Sequence, residues 1–404
     1  MMHKDDDRFS RSAPAVLTLT AMVVFVVIPR FLLSPLLLRI AETFGVGYGQ
    51  AAGLFMTASF GFIAGLLTSA FVARALTHRW TIVFSIASSG VSLVLLTVMP
   101  SLTFFHLLLF VGSWATGLYP GSGVSSVAEL VSERHRGKAL ALHESGPNLA
   151  FILAPVLSAL IAPLFGWQGV FLLVGTVAIV CAAAFGRFGR ASGEEAQIPN
   201  FAAIGTILRN RSFWVILLML GVAAVGAIGI YSVLPTYLMT EHAYSERFVN
   251  NFIGASRIVG FVALFAAGIF ADRYGFSIVV GVIIVVTGLL TAAIGLTTGP
   301  ALLVAVFLQP MLVQSMFPVA INGLTMVVAP EARSLAVSLA IPFANLVGTG
   351  LAPLAIGAAG EAGRFDVSFV VVGAITVASI GLLPLLKGGP LALRTSAPLE
   401  RTPA

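Results

Sequence analysis

An all-α membrane protein with twelve transmembrane helices, in two pseudo-symmetric six-helix bundles, is the fold class the sequence predicts. Three observations predict it. The 404 residues are 58% hydrophobic and only 9% charged, with a mean hydropathy of +1.02, whereas a soluble domain carries roughly 25% charged residues. So much apolar surface cannot be hidden in one water-soluble core. The apolar residues fall in twelve runs of about twenty residues, the length a helix needs to cross a bilayer and twice that of a barrel strand. The second half also repeats parts of the first at a constant offset.

The polar, charged N-tail, 1–13, lacks the short apolar core and small-residue cleavage site of a secretory signal peptide, so the first run is read as a retained span. That span, 14–38, bends at Pro29. The next two are 47–72 and 80–99, the latter opening on Trp80. Span four, 102–130, follows the very short link Pro100-Ser101, which forces an antiparallel neighbour. Span five, 138–164, carries Gly146-Pro147 and Ala154-Pro155. Span six, 168–186, follows Gly166-Trp167 and holds Cys181, the single cysteine, so no intramolecular disulfide can form. Together, 14–190 is expected to form the first bundle. The longest internal polar segment, 191–211, is the expected linker. The second bundle, 212–388, holds spans 212–238, 248–271, 276–297, 300–328, 334–359 and 367–386. Its first span opens near Trp214, its fourth follows Gly299-Pro300, and its fifth carries Gly348-x-Gly350 and Ala352-Pro353. Small residues let helices approach and prolines bend them, so spans five and eleven are expected to be curved and able to rock. The C-tail is 389–404.

Twelve spans put both termini on one side, and Lys and Arg identify it. Seventeen lie in the tails and even-numbered loops, against Arg39, Arg247 and Arg364 on the opposite face. The positive-inside rule makes the tails cytoplasmic. The three tryptophans at span starts suit the membrane interface. With minimal loops and tails, a bacterial inner membrane is the expected location. The net charge of +6 is spread over short loops, which is a topology signal, and nucleic acid is not expected as a partner.

The halves repeat. Tyr119-Pro120 matches Phe317-Pro318 at an offset of 198. Arg136, Ala139, Asn148 and Leu149 match Arg333, Ala336, Asn345 and Leu346 at 197. Phe171, Val174 and Gly175 match Phe369, Val372 and Gly373 at 198. Two parallel six-helix repeats suit a transporter. The loop Gly268-Ile-Phe-Ala-Asp272-Arg273-Tyr-Gly275 is similar to the signature loop of the major facilitator superfamily, and lies between spans eight and nine as that family's does. In the first-half copy, 70–77, Arg74 stands where the Asp would be. Tyr119-Pro120, Arg136-Gly137-Lys138-Ala139, Gly166-Trp167 and Phe171 resemble the same region of organic-anion members. The resemblance covers essentially the whole chain. It implies alternating access and a gating role for Asp272 and Arg273, with Glu129 a further gate or loop partner.

Arg30 and Arg257 carry the functional argument. Both lie in stretches that otherwise read as lipid-buried helix, and neither has an acidic residue within a helical turn. An intramembrane cation is costly and normally faces a cavity or a partner. Arg30 lies nine residues before Arg39 and Arg257 nine residues after Phe248, so each sits about 14 Å from the outer surface at 1.5 Å per residue. Such a pair is expected to clamp a carboxylate in the central cavity. A guanidinium binds carboxylates bidentately and does not escape by deprotonating. The plainer reading is that helix-end carbonyls satisfy each one. An arginine in span eight also resembles what monocarboxylate and oxalate carriers use. The lysine that oxalate exchangers carry in span eleven is absent from 334–359, which leaves Arg30 to supply the second charge.

Glu144 and His143, in span five, are candidates for coupling a proton, against a structural carboxylate near Arg136. Asn148 and Asn345, Tyr119, Tyr231 and Gln314 can hydrogen-bond a substrate or glue helices together. His106, alone in span four, reads as a satisfied core histidine. There is no phosphate loop, metal-ligand spacing or Ser/His/Asp set, so no enzyme activity, cofactor or metal is expected. The expected function is secondary active transport of a small organic anion by a monomer in a lipid bilayer, with protons as candidate coupling ions. The alternatives are an efflux antiporter for amphipathic drugs, using the 30 phenylalanines as a greasy pocket, and a transporter-like receptor that moves nothing.

Overall fold

The computed structural model describes the backbone of residues 9–193, 204–274, 276–314, 316, 320, 323–324, 327–329 and 333–386, and the side chains of all of these except 11, 261–274, 276, 277, 334 and 386. The expected tails and part of the linker lie outside the described residues. Among the described residues every regular element is helical. In hydrocarbon every backbone N–H and C=O must be satisfied within the chain, and a helix does this segment by segment.

The first half begins with α1, Phe9–Phe44, which contains Pro14, Pro29 and Pro35. It stops at Gly45, whose φ of 64° is open to glycine. There the amide of Val46 bonds back to the carbonyl of Ala41 at 3.0 Å, a left-handed C-terminal cap. The run α2, Tyr48–Leu96, is broken at Thr77, where φ is 69° and ψ 161°. Next come α3, Leu102–Gly117, capped by Ser101; α4, Tyr119–Leu130; and α5, Glu133–His143. The run α6, Ser145–Phe188, is broken at Gly166, where φ is 67° and ψ −177°.

The second half opens with α7, Ile204–Arg209, and α8, Arg211–Ala224, capped by Asn210. A π turn, Val225–Gly229, joins α8 to α9, Ile230–Thr240. Then follow α10, Glu246–Tyr274; α11, Phe276–Leu296; α12, Gly299–Val313; and α13, Arg333–Asn345. A second π turn, Leu346–Leu351, leads into α14, Ala352–Glu361. Last come α15, Phe365–Ala378, and a 3₁₀ segment, Ser379–Leu386.

Eight described helical stretches are long and apolar enough to cross a membrane. Two of them, Tyr48–Leu96 and Glu133–Phe188, are of double length, and the breaks at Thr77 and Gly166 divide each into two passes. Helices α10 and α12 fit the remaining places in a twelve-helix plan.

The chain forms two compact units. One is Met1–Pro199 with Leu234–Gly254, and the other is Asn200–Val233 with Ala255–Ala404. Each is stitched by glycines where helices meet backbone to backbone. In the first unit, a Cβ added to Gly90 or Gly175 would lie 2.7 Å from the other residue's carbonyl oxygen. In the second, a Cβ on Gly288 would meet the Gly373 carbonyl at 2.8 Å, and one on Gly373 would meet that of Gly288 at 2.6 Å. Gly288 and Gly373 each stand 198 residues after their first-half counterparts. The repeat read from the sequence therefore recurs as the same helix–helix seam.

Candidate functional site

Arg257 lies on α10, 2% exposed. Its Nη2 donates to the carbonyl oxygen of Ala227 at 2.8 Å, and its guanidinium carbon sits 4.3 Å from the centre of the Tyr231 ring. The π turn explains the first contact. Widening a helix to i→i+5 bonds disturbs the regular ladder, and such bulges recur at functional sites. Here a second carbonyl of the turn, that of Gly226, accepts from Nε2 of Gln309 on α12 at 2.9 Å. The turn is thus held by a cation and an amide from two neighbouring helices. The other π turn, Leu346–Leu351, comes close enough that a Cβ on Gly229 would lie 3.0 Å from the Gly348 carbonyl oxygen.

Arg30, half-buried on α1, stacks on Phe62 of α2 with its guanidinium carbon 3.9 Å from the ring centre. It lines a small cleft inside the first unit, with Ser89 and Ser92 of α2 and Ser113 and Thr116 of α3. Leu93, Leu96 and Leu109 give the cleft an apolar wall. Each arginine therefore lies where the first two spans of its own half meet. Cation–π contacts of this kind contribute on the order of 1 to 2 kcal/mol when desolvated.

Tyr119 is fully buried in the first unit. Its hydroxyl donates to the Leu19 carbonyl at 3.0 Å and lies 3.0 Å from Nε2 of His143, with the two rings stacked. On its other side His143 faces Glu144, Nδ1 to Oε1 at 3.4 Å. His143 is buried, and the Glu144 side chain is 63% exposed. Because Tyr119 gives its proton to Leu19, its oxygen accepts from Nε2–H of His143. Nδ1 then either donates to an ionised Glu144 or accepts from a protonated one. The string runs from an exposed carboxyl to a buried phenol.

The other sequence candidates are distributed as follows. Asn148 donates to the Glu144 carbonyl at 3.2 Å and Asn345 to that of Ile341 at 3.0 Å, each one turn back on its own helix. Tyr231 is the platform under Arg257. Gln314 follows α12, and its buried Oε1 has no hydrogen-bond partner among the described residues. Glu129 is exposed near the end of α4. The side chains of Asp272 and Arg273 lie outside the described ones. His106 is joined to Thr57, Nδ1 to Oγ1 at 2.6 Å, as expected of a satisfied histidine. Among the described residues no group of three His, Cys, Asp or Glu could hold a metal ion. Sequence reasoning missed Phe62, Gln309 and the three serines beside Arg30. The three-residue spacing of Ser89 and Ser92 on α2 was the available signal, and a slight one.

A family model described as Major Facilitator Superfamily matches residues 19–340. A bacterial homologue of the human lysosomal transporter Spinster, inward-facing and occupied, is similar with a TM-score of 0.80 at 15% identity, covering 94% of this chain and 97% of that one. The nucleoside transporter NupG, solved as a point mutant, is similar with a TM-score of 0.76 at 14% identity, covering 92% and 99%. A curated relative, the transcription regulatory protein OpdE of Pseudomonas aeruginosa, is 28% identical over 175 residues. That match spans 43% of each chain.

Proposed function

The chain belongs to the Major Facilitator Superfamily, and from that premise we propose that it is a secondary active transporter moving a small organic anion, a carboxylate, by alternating access. Arg30 and Arg257 are the cationic groups that receive it. The observation that carries this reading is the placement of Arg257. A permanent cation is buried in an apolar bundle, against the carbonyl of a π turn and a phenol ring. Cations held at such depth mark substrate and ion pathways, and an anionic cargo is the chemistry that a guanidinium there receives. Glu144, His143 and Tyr119 form the candidate proton path, and the positive-inside count orients the tails toward the cytoplasm of a bacterial inner membrane. Asp272, Arg273 and Glu129 remain the gating candidates.

The test is uptake of radiolabelled carboxylates into proteoliposomes by the wild type and Arg257→Lys. Lysine keeps the charge and loses the planar fork. Uptake should fall by about tenfold or more, the loss of one charge-assisted hydrogen bond, while the melting temperature stays near that of the wild type. Unchanged uptake removes the reading.

The match to a transcription regulatory protein favours a second reading, in which anion occupancy is sensed and relayed without transport. In that case wild-type protein would show carboxylate-dependent thermal stabilisation and no uptake above empty liposomes. Stabilisation by lipophilic cations instead would point to drug efflux.

A further inference from the structure

We propose that the interfacial corner where the second pass of α2 begins and the second pass of α6 ends holds one anionic phospholipid, its phosphate received by Arg79 and Arg187 and its upper chain lying beside Trp80. The proposal is independent of what the protein carries. It concerns the bilayer around the first unit.

The two passes lie side by side. Their seam is the backbone contact of Gly90 with Gly175. Eleven residues along each pass, 90 − 79 and 186 − 175, the seam ends with Arg79 on Gly186. Nη2 of Arg79 donates to the Gly186 carbonyl at 2.9 Å. The Trp80 ring borders the same glycine, since a Cβ there would lie 3.6 Å from Cζ3 of the indole. The main chain is fastened at this corner too. The amide of Arg79 donates to the Ser192 carbonyl at 3.0 Å, and the amide of Ser192 donates to Oγ of Ser126 at 3.2 Å. Residues 189–192, which carry Arg190, are thereby folded back against the start of the α2 pass.

An arginine near a membrane surface ordinarily snorkels, with its stem on apolar surface and its head in water. Arg79 does not. It is only partly exposed, and its guanidinium is fixed to a main-chain carbonyl. That bond uses one amino group, and Nε and Nη1 have no hydrogen-bond partner among the described residues. Arg187, the residue after Gly186, and Arg190 are exposed. None of the three arginines is paired with a described carboxylate. Three cations therefore meet at one corner without a described counter-charge. A phosphate diester supplies it, because its free oxygens match the guanidinium fork. The aromatic residues decide for a lipid over a free anion. Trp80 is 51% exposed and Phe188 81%, and an exposed indole belongs at headgroup level. Phe84, one turn on from Trp80 and 39% exposed, gives an acyl chain apolar surface. Basic pockets between helices on the cytoplasmic side take anionic headgroups, and the positive-inside count puts this corner on that side.

The experiment uses the full chain, delipidated in a neutral maltoside detergent. It is titrated separately with phosphatidylglycerol, phosphatidylcholine and inorganic phosphate. Native mass spectrometry counts bound lipid, and thermal shift follows stability. The wild type should retain one phosphatidylglycerol and melt higher with it than with phosphatidylcholine. Arg187→Gln should weaken phosphatidylglycerol about fivefold, and Arg79→Gln/Arg187→Gln about tenfold or more, as expected of basic residues at an anionic group. The Arg187 side chain makes no hydrogen bond to a described residue, so its variant reports even if Arg79→Gln does not fold. Arg134→Gln/Arg136→Gln is the control. It removes two charges from exposed positions on α5, and screening by salt should keep its effect within about twofold. An equal loss in the control would reduce the effect to net charge and overturn the site. Equal retention and equal shifts with the two lipids would overturn it as well, leaving Glu194 and Glu195, which follow in the sequence, as counter-ions for the arginines. Inorganic phosphate as effective as phosphatidylglycerol would overturn the lipid as occupant.

Discussion

His242 is held in a way that makes it sensitive to acid. It lies between α9 and α10, with its ring edge-on to Tyr237 at 4.8 Å. Burial lowers its proton affinity from the ordinary value of 6.5, and the neighbouring Glu241 carboxylate opposes that shift. The folded chain therefore resists a proton that the unfolded chain accepts. This contribution to stability is complete above about pH 6.5 and declines as pH falls below it. The melting temperature should drop between pH 7.5 and pH 5.5, and less steeply in His242→Gln, as followed by differential scanning fluorimetry. At this scale the sequence was most legible where a residue is expensive. Arg30 and Arg257 stand out because a cation in an apolar run demands an explanation. Tyr119 and Asn148 were open choices, since a phenol or an amide serves substrate and backbone equally well. The structure gives their protons to carbonyls of Leu19 and Glu144. The serines beside Arg30 gave little sign, because a helical serine normally bonds its own helix.

Helix ends and reversals were visible in the letters, and the hydrogen-bond offset inside a helix was not. Gly166 and the segment around Thr77 interrupt the hydropathy, so the paired passes of α2 and α6 could be separated in advance. Hydropathy reads which residues are apolar, and a π turn changes only which carbonyl each amide reaches. Val225–Gly229 and Leu346–Leu351 therefore passed as ordinary helix, although both are rich in glycine. The first turn depends on Gln309. In Gln309→Leu the Gly226 carbonyl loses its partner from α12, and the cost should be about 1–3 kcal/mol. A lowered melting temperature, with Arg257→Lys affecting uptake more than stability, would separate the structural support of the turn from its functional one. The end of α1 and the start of α10 offer a further handle. Nε of Arg39 donates to Oε1 of Glu246 at 2.9 Å, within the first compact unit. The pair is part-exposed, so its net worth is at most about 1 kcal/mol. Its effect should appear in access. In a cysteine-free background carrying Asn250→Cys, adding Glu246→Gln should speed maleimide labelling at position 250, which is fully buried in the wild type.

The two halves carry the same seam, and this ties the repeat in the sequence to a physical demand. Residues 198 apart are glycine because two backbones touch there, and any side chain would force them apart. Gly175→Ala and Gly373→Ala should each destabilise the protein by about 1–3 kcal/mol through overpacking, and by similar amounts, as measured by thermal unfolding in nanodiscs. Unequal losses would mean that the seams support their units differently. Such contact also bears on motion. Where main chains lie against each other with no side chain between them, there is no lubricating layer to slide on. Each seam should then travel as one stiff plate, and spin labels placed astride it should report a single unvarying separation through every stage of turnover.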